Sequence, residues 1–580
     1  MDVILWFLET PSPDPRIIAR LQELDNNDLH TPPTSSTSDD LFQRLPASTS
    51  ALRPLGSVAR AATEAEKHIN LPGSARSYLK AIGWSVLVSS TLIMEGFDTL
   101  LIFSYFSLPA FKRKYGEPAG DGSYEIPTRW QFGLTTAAEA GEIVGLLFNG
   151  ILADRVGYRA TLLAALTFLF LSIFVSFFAT SIRMLLAAQI LCGLPWGVFQ
   201  TLTINYAAEL MPVKLRAYLL SGINLCWVLG QILSSGVVRA FVHNNSQWAY
   251  RIPFALQWAI GVPIFIGVLL GPESPWWWIR HKRPDRARQS LRRLTRKKSG
   301  RVNVDQIVSM MIHTDEVEKY ITHNDTGSIS YLACFRRTDL RRTEIACVVW
   351  ITQQVCGTSL VGWAAYFYEQ AGLNTKNSYN LSVGTFGLAI LGYVVCFFLL
   401  ARVGRRRLYL VGLFALAAIL VAVGALGVPP KSEGLSWALG CLLLLVTFVY
   451  NITIGPICYV LVAEIPSTRL RVKTVVLARV AYNLSGILIN WITPQMVSPE
   501  AWNWRGKAGF VFAGTTICCF VYCYWRLPET FGLSYLEIDI LFAKKAKPTK
   551  FREVQCILER SGYYDIEGYG REEQCPFQGY

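Results

Sequence analysis

Four carboxylates interrupt otherwise apolar stretches of this chain: Glu95 with Asp98, and Glu139 with Glu142. Each pair is three residues apart, which puts both members on one face of a helix. One basic residue stands well inside an apolar stretch, Arg479. Arg479, Asn483, Gly486 and Asn490 follow helical spacing and draw a single polar stripe. Acids held out of water can take up and release protons, and an ionisable group inside a bilayer costs at least ~2.5 kcal/mol, which makes it a candidate for function. The plainer alternative is that these charges only hold helices in register. A second set carries amides, hydroxyls and rings. Asn224, Trp227 and Gln231 share one helical face, Gln353, Gln354, Ser359 and Trp363 follow later, and Tyr459 stands just after Gly455-Pro456. Amides and hydroxyls can hold the hydroxyls of a ligand, and aromatic rings can cover its C–H surface. A glutamine in an apolar helix can equally bridge two helices.

Such groups need elements that bury them. The chain is 52% hydrophobic and only 17% charged, against about a quarter charged in soluble domains. Its apolar residues fall in roughly twelve blocks, each about the ~20 residues that cross a bilayer. The blocks centre near Leu92, Gly145, Leu169, Leu191, Leu229, Ile260, Gly357, Leu391, Leu416, Leu445, Ile487 and Phe520. A soluble helical bundle would need a charged stripe on each helix, and Leu162 to Phe178 has none. The fold class expected is an all-α membrane protein of twelve transmembrane helices. Residues 1–83, rich in Ser, Thr, Pro and Asp as at Thr31 to Asp40, read as a disordered cytoplasmic tail and not as a signal peptide. The thirteen cysteines lie mostly in apolar blocks, as at Cys441, Cys518 and Cys519. They read as packing residues, with no disulfide framework, no metal site and no cofactor implied.

The net charge of +14 could point to nucleic acid, but its distribution does not. With the N-terminus inside, Arg155 and Arg159, Arg402 with Arg405 to Arg407, and Arg469, Arg471 and Lys473 all fall on cytoplasmic loops. That is the positive-inside bias of a multi-pass membrane protein, with both termini cytoplasmic. The lipid bilayer is the implied partner, with no nucleic acid.

The chain is also duplicated. Glu209-x-x-Pro212-x-x-x-Arg216 closes the fourth block and Glu464-Ile-Pro466-x-x-x-x-Arg471 the tenth. Pro272-Glu273-Ser274 ends the sixth and Pro528-Glu529-Thr530 the twelfth. Gly150-x-x-x-Asp154-Arg155-x-Gly157-x-Arg159 follows the second, and Arg402-x-Gly404-Arg405-Arg406 the eighth. Two parallel six-helix repeats are the internal symmetry of a rocking transporter with a site between its halves. The expected division is 84–276 and 341–542 for the halves, 277–340 for a cytoplasmic helical linker, and 543–580 for a cytoplasmic tail. Within the linker, Trp277 to Lys298 reads as one basic amphipathic helix and Val304 to Ile321 as a second. The repeated charges are expected to form ion pairs that lock the halves together at the cytoplasmic side. Single surface pairs are weak, about 0 to 1 kcal/mol, but a network can bias a two-state equilibrium. The alternative is that each charge only fixes topology. Asn244-Asn245-Ser246 is a glycosylation sequon on the outer side, expected to be unused in so short a loop.

From about Gly83 to Phe542 the chain resembles the sugar porter branch of the major facilitator superfamily. The stretches that carry this are Gly150 to Arg159, Glu209 to Arg216, Pro272 to Pro275, Gln353-Gln354-x-x-Gly357, Gly404 to Arg407, Gly455-Pro456 and Pro528 to Gly532. Within that branch it is similar to the fungal α-glucoside (maltose-type) permeases. Glu95-Gly-Phe-Asp98-Thr99, Cys192 to Gln200, Thr314 with Glu318, Arg341 to Ile345 and Asn503-Trp504 carry the narrower likeness. The resemblance implies that Gln231, Gln353 and Gln354 are sugar ligands. Ser359 stands where many hexose carriers have Asn, and Tyr459 where they often have Trp, which leaves room for a disaccharide. Proton-coupled members usually pair an acid on the first helix with an Arg on the fourth, and here Gln189 occupies that position. The α-glucoside permeases share this departure and match Glu95, Asp98, Glu142 and Arg479. Arg479 is therefore expected to replace the missing Arg as counter-charge to Glu142, with Asp98 as the titrating carboxylate. Protonating Asp98 would remove a buried charge as the occluded state forms, so that proton and sugar favour one conformation.

The function expected is proton-coupled import of α-glucosides such as maltose across the plasma membrane by alternating access, by a chain functional as a monomer. A facilitative carrier is the alternative, favoured by the loss of the fourth-helix Arg. A non-transporting sugar sensor is a third reading, opposed by the short C-terminal tail. No phosphate loop, metal cluster or nucleophile constellation suggests an enzyme.

Overall fold

Apolar runs of this length become helices because hydrocarbon offers no partner to backbone N–H and C=O groups, and a helix satisfies them internally. The computed structural model describes residues 76–118, 124–244, 246–295, 303–323, 331–362, 375–400, 402–429, 433–467, 470–497, 502, 504–533, 538, 541–542, 547–548 and 551. The N-terminal tail to residue 75, the C-terminal tail beyond residue 551, and Asn245, Trp363, Arg469 and Asn503 lie outside these. The first crossing joins α1 (Leu79–Ser89) to α2 (Thr91–Tyr105). It starts inside the stretch expected to be tail. A loop holds the short α3 (Pro109–Tyr115) and a hairpin of β1 (Glu117–Pro118) against β2 (Tyr124–Glu125). Five crossings complete the first half: α4 (Thr128–Val156), α5 (Tyr158–Phe177), α6 (Ile182–Leu210), α7 (Val213–Phe241) and α8 (Trp248–Leu270).

The linker carries α9 (Pro275–Arg280), α10 (Pro284–Leu294) and α11 (Val304–His323). One helix was expected over Trp277 to Lys298, and two are found. Lys282 has a positive φ of 56° and Pro284 opens the next helix. A proline cannot continue the helix before it. In the second half come α12 (Arg337–Val355), α13 (Thr358–Gly362), α14 (Thr375–Leu399), α15 (Arg405–Leu426), α16 (Glu433–Ile452), α17 (Ile454–Glu464), α18 (Arg471–Val497) and α19 (Ala508–Arg526). Among the described residues, 11 helical stretches are long and apolar enough to cross a bilayer. The seventh crossing, α12 with α13, breaks at Gly357, whose φ of 91° lies in the left-handed region that favours glycine. The tenth breaks at Thr453 between α16 and α17. Broken helices at the midplane are where transporters build their sites. With the broken seventh crossing counted, the described residues form twelve crossings in two halves of six, the all-α architecture expected.

Packing follows membrane rules. Gly141 and Gly145 on α4 meet Gly193 and Gly197 on α6 so closely that a Cβ on Gly145 would lie 2.0 Å from the Leu194 carbonyl oxygen. Small residues four apart let two backbones touch, and dispersion over that contact holds the pair. Across the halves α4 packs on α18, and α7 on α14 and α17. Phe148, Leu171, Leu270, Phe398 and Trp525 point outward, 61% to 67% exposed, as the lipid-facing surface.

Candidate functional site

Between the halves lies a cavity with about 1300 Å³ of free space, counting its open mouth. Seven of the eight residues expected to bind ligand line it: Asn224, Trp227, Gln231, Gln353, Gln354, Ser359 and Tyr459. The eighth, Trp363, is among the residues not described. The helix breaks place them. Gln353 and Gln354 end α12 just before Gly357, and Ser359 follows it on α13. Two of the residues also bridge helices. The Gln353 Nε2 donates to the Gly455 carbonyl at 3.1 Å, and Asn224 donates across the halves to Asn451 at 3.0 Å. The Ser359 hydroxyl oxygen is buried, and among the described residues it has no hydrogen-bond partner. A hydroxylated ligand would satisfy it. Phe103, Phe386, Tyr450 and Tyr482 add rings to the walls.

A network of buried charge forms part of the same wall. The Gln200 Nε2 on α6 donates to Glu95 at 2.6 Å and to Glu142 at 2.9 Å. Its carbonyl oxygen accepts from the Arg479 Nε at 2.6 Å. Asn483 donates to Glu142 and Asn490 to Glu139, each at 2.9 Å. The expected partner of Arg479 was Glu142. The ion pair found is with Glu95, at 3.7 Å, and Glu142 is reached through Gln200. The reason is register: the glycine contact sets Gln200 on α6 between the two acids, and the guanidinium carbon lies 4.6 and 3.9 Å from the ring centroids of Trp350 and Tyr482. Cation–π contact of that kind adds about 0.5 to 2 kcal/mol.

Asp98 takes a different neighbourhood although it shares a helix with Glu95. It is buried, receives a hydrogen bond from Gln257 on α8, and has Gln189 beside it. Among the described residues no cation pairs with it. Its second oxygen, Oδ2, is buried and has no hydrogen-bond partner among the described residues. Where hexose symporters were expected to place an Arg, an amide stands.

At the basic end of the bundle the repeated motifs form two matching clasps. In the first half Glu273 accepts from the backbone N–H of Tyr158 and of Arg159, each at 3.0 Å, at the start of α5. A carboxylate there also meets the positive end of the helix. Burial pushes the Glu273 carboxyl above the usual carboxylate range, and the N–H donors of Ser274, Arg159 and Tyr158 work against that shift. Glu209 accepts from Tyr158 at 2.9 Å, from Ser274, and from Arg280 of the linker. In the second half Glu529 accepts from the N–H of Arg405 at 2.9 Å. Glu464 accepts from Thr530 at 2.6 Å and pairs with Arg405 at 3.8 Å. Arg159 and Arg406 each donate to a carbonyl of the crossing they pack on, at Leu269 and Tyr524.

These charges were expected to lock the halves to each other, and most of them do not. They close each half on itself, because the motif residues sit at adjoining helix ends of one repeat. Among the described residues, cross-half contacts at this end include Lys473 to Asp154 at 3.9 Å and Arg216 near Glu464. Arg155 and Arg402 are exposed, and Arg471 is buried at the start of α18. At the opposite end Arg239 donates to Asn380 across the halves at 2.8 Å.

Sequence reasoning gave no role at the site to Gln200, Gln257 and Asn451, and counted Lys473 only as a cytoplasmic charge. A signal existed for the first three: an amide inside an apolar helix needs a partner as a charge does.

The family model described as "Sugar (and other) transporter" matches residues 84–542. The chain is 40% identical over 503 residues to the maltose permease MAL61 of Saccharomyces cerevisiae, covering 85% of this chain and 81% of that one. It is 39% identical to the alpha-glucosides permease MPH3 of the same organism, covering 86% and 83%. The proton:xylose symporter XylE bound to 6-bromo-6-deoxy-D-glucose superposes with a TM-score of 0.67 over 80% of this chain and 99% of that one, at 19% identity. At that identity the likeness is one of fold. The chain therefore belongs to the sugar transporter family described by that model, a multi-pass membrane protein that transports sugars and is not an enzyme.

Proposed function

We propose that this protein is a proton-coupled symporter that imports α-glucosides such as maltose across the plasma membrane by alternating access. The observation that carries the reading is that one cavity wall holds both amides able to bind a hydroxylated ligand and a buried acid–guanidinium network crossing the halves. The names of the yeast relatives supply the sugar class. Gln231, Gln354, the free valences of Gln353, and Ser359 bind hydroxyls, and Trp227 and Tyr459 cover C–H surface. In the proposed cycle the halves 84–276 and 341–542 rock about α4–α18 and α7–α14, with 277–340 as cytoplasmic linker and both termini inside. Opening one end breaks Asp154–Lys473, and opening the other breaks Arg239–Asn380. Asp98, without a counter-charge, takes the proton.

Growth and proton uptake on a sugar panel, in a host lacking its own transporters, test this. Adding maltose should make the medium alkaline. Transport without alkalinisation would instead establish the facilitative carrier, which the amide at Gln189 favours. Asp98→Asn should abolish accumulation against a gradient while exchange continues, and retained accumulation would remove Asp98 from the mechanism.

A further inference from the structure

Gln200 occupies an unusual position in the buried network. It is 3% exposed, on a helix of the first half, and it touches three charged groups on three other helices. Its orientation follows from chemistry. Arginine only donates, so the amide oxygen must face Arg479. Ionised carboxylates only accept, so the amide nitrogen must face Glu95 and Glu142. Both N–H bonds and the carbonyl are thereby used. For Arg479 the direct route to an acid of the first half is longer, 3.7 Å to Glu95 against 2.6 Å to Gln200, while Asn483 of the same helix reaches Glu142 directly at 2.9 Å. The α4–α6 glycine contact, one turn before Gln200, leaves the amide little freedom to move away from α4.

We infer that Gln200 is a positioning residue for coupling: its amide transmits the protonation state of Glu95 and Glu142 to Arg479 of the other half. The inference rests on the proton-coupled reading above. Hydrogen bonds to an ionised acceptor are roughly twice as strong as those between neutral groups, and chained ones reinforce each other. With both acids ionised, the amide is polarised toward them and its oxygen holds Arg479 firmly. A proton on either acid removes one charge-assisted bond, weakens the polarisation and loosens the hold on α18. Uptake of a proton thus changes how tightly the halves are joined at the cavity, where the sugar sits. Other titratable groups face the cluster: Glu139 from α4, bonded by Asn490 and not by Gln200, Tyr459 from α17, and Tyr482 from α18. Glu139 is therefore the internal comparison, an acid in the same cavity without the amide relay.

The test uses full-length protein in proteoliposomes, with labelled maltose as probe. Sugar-for-sugar exchange across the vesicle, measured at a series of pH values, is compared with accumulation driven by an imposed pH gradient. Gln200→Leu keeps the volume and removes the relay. It should lower accumulation at least about tenfold, flatten the pH dependence of exchange, and lower exchange by no more than about threefold. Glu139→Gln should leave the pH dependence of exchange in place. Gln200→Asn is too short to reach both sides and serves with the same readouts should the leucine variant fail to fold. Full accumulation and an unchanged pH profile in Q200L would overturn the inference. So would equal losses of exchange and accumulation, which mark a structural role alone. A wild-type protein that exchanges sugar without responding to the gradient overturns the coupled reading and this inference with it, whereas a wild-type response that survives Q200L overturns the role of Gln200 alone.

Discussion

At the basic end of the bundle, acids and guanidinium groups meet mainly within one half; at the cavity, the same residue types meet across the halves. Glu273 and Glu209 close the first half on itself and tie it to Arg280 of the linker, and Glu529, Glu464 and Arg405 close the second. Glu95, Glu142, Gln200 and Arg479 join the two. A contact made within a rigid body is unchanged when that body rotates, so the clasps preserve the shape of each half through the cycle. A contact made between bodies must change, so the cavity network can report conformation. The repeat that makes the clasps so legible is what keeps them internal. Among the described residues the network has no counterpart in the repeat, since none of the other basic residues stands as deep inside a crossing as Arg479.

Four substitutions bear on this contrast. The largest effect is expected from Arg479→Ala, which leaves buried acids without their guanidinium. Removing one member of a buried pair costs about 3 to 5 kcal/mol, readable as a fall in thermal stability of the purified protein, with loss of gradient-driven uptake. Stability close to wild type would mean the network does not join the halves. Gln354→Ala comes next. Losing one hydrogen bond to a hydroxyl is worth about 0.5 to 1.5 kcal/mol, or up to roughly tenfold in KM. An unchanged KM for every transported sugar would remove Gln354 from the ligand set. Glu529→Gln weakens a clasp and should cost about 1 kcal/mol of stability while leaving the sugar KM alone. A changed KM there would show that the clasps do move in transport. The smallest effect belongs to Lys473→Met at the cross-half pair with Asp154. At about 0 to 1 kcal/mol it should shift the balance of inward and outward states less than about fivefold and lose its effect in high salt. Site-directed accessibility labelling from each side of the membrane reads that balance.

Much of the fold could be read before any coordinates. The apolar blocks gave the crossings, and the repeated Pro-Glu and Glu-to-Arg motifs gave the two halves. Pro284 announced a break in the linker that periodicity alone overlooked. The cavity residues Asn224, Gln231, Gln353, Gln354 and Tyr459 were legible from type and spacing. Partners were harder to read. Three-residue spacing put Glu95 and Asp98 on one face, yet one acid meets Arg479 and the other Gln257. A helical face spans a wide arc, and in a bundle that arc touches more than one neighbour.

By itself the sequence determined what must be buried and roughly how deep: which helices cross, which carry acids, and that one guanidinium lies at their depth. Hydrophobicity and helical period are local properties, so they survive in one dimension. Which acid faces that guanidinium, and that an amide on α6 stands between them, was decided only in three dimensions. That choice depends on how closely α4 and α6 approach at their glycines and on the register it imposes, and such a contact exists only after the helices have packed.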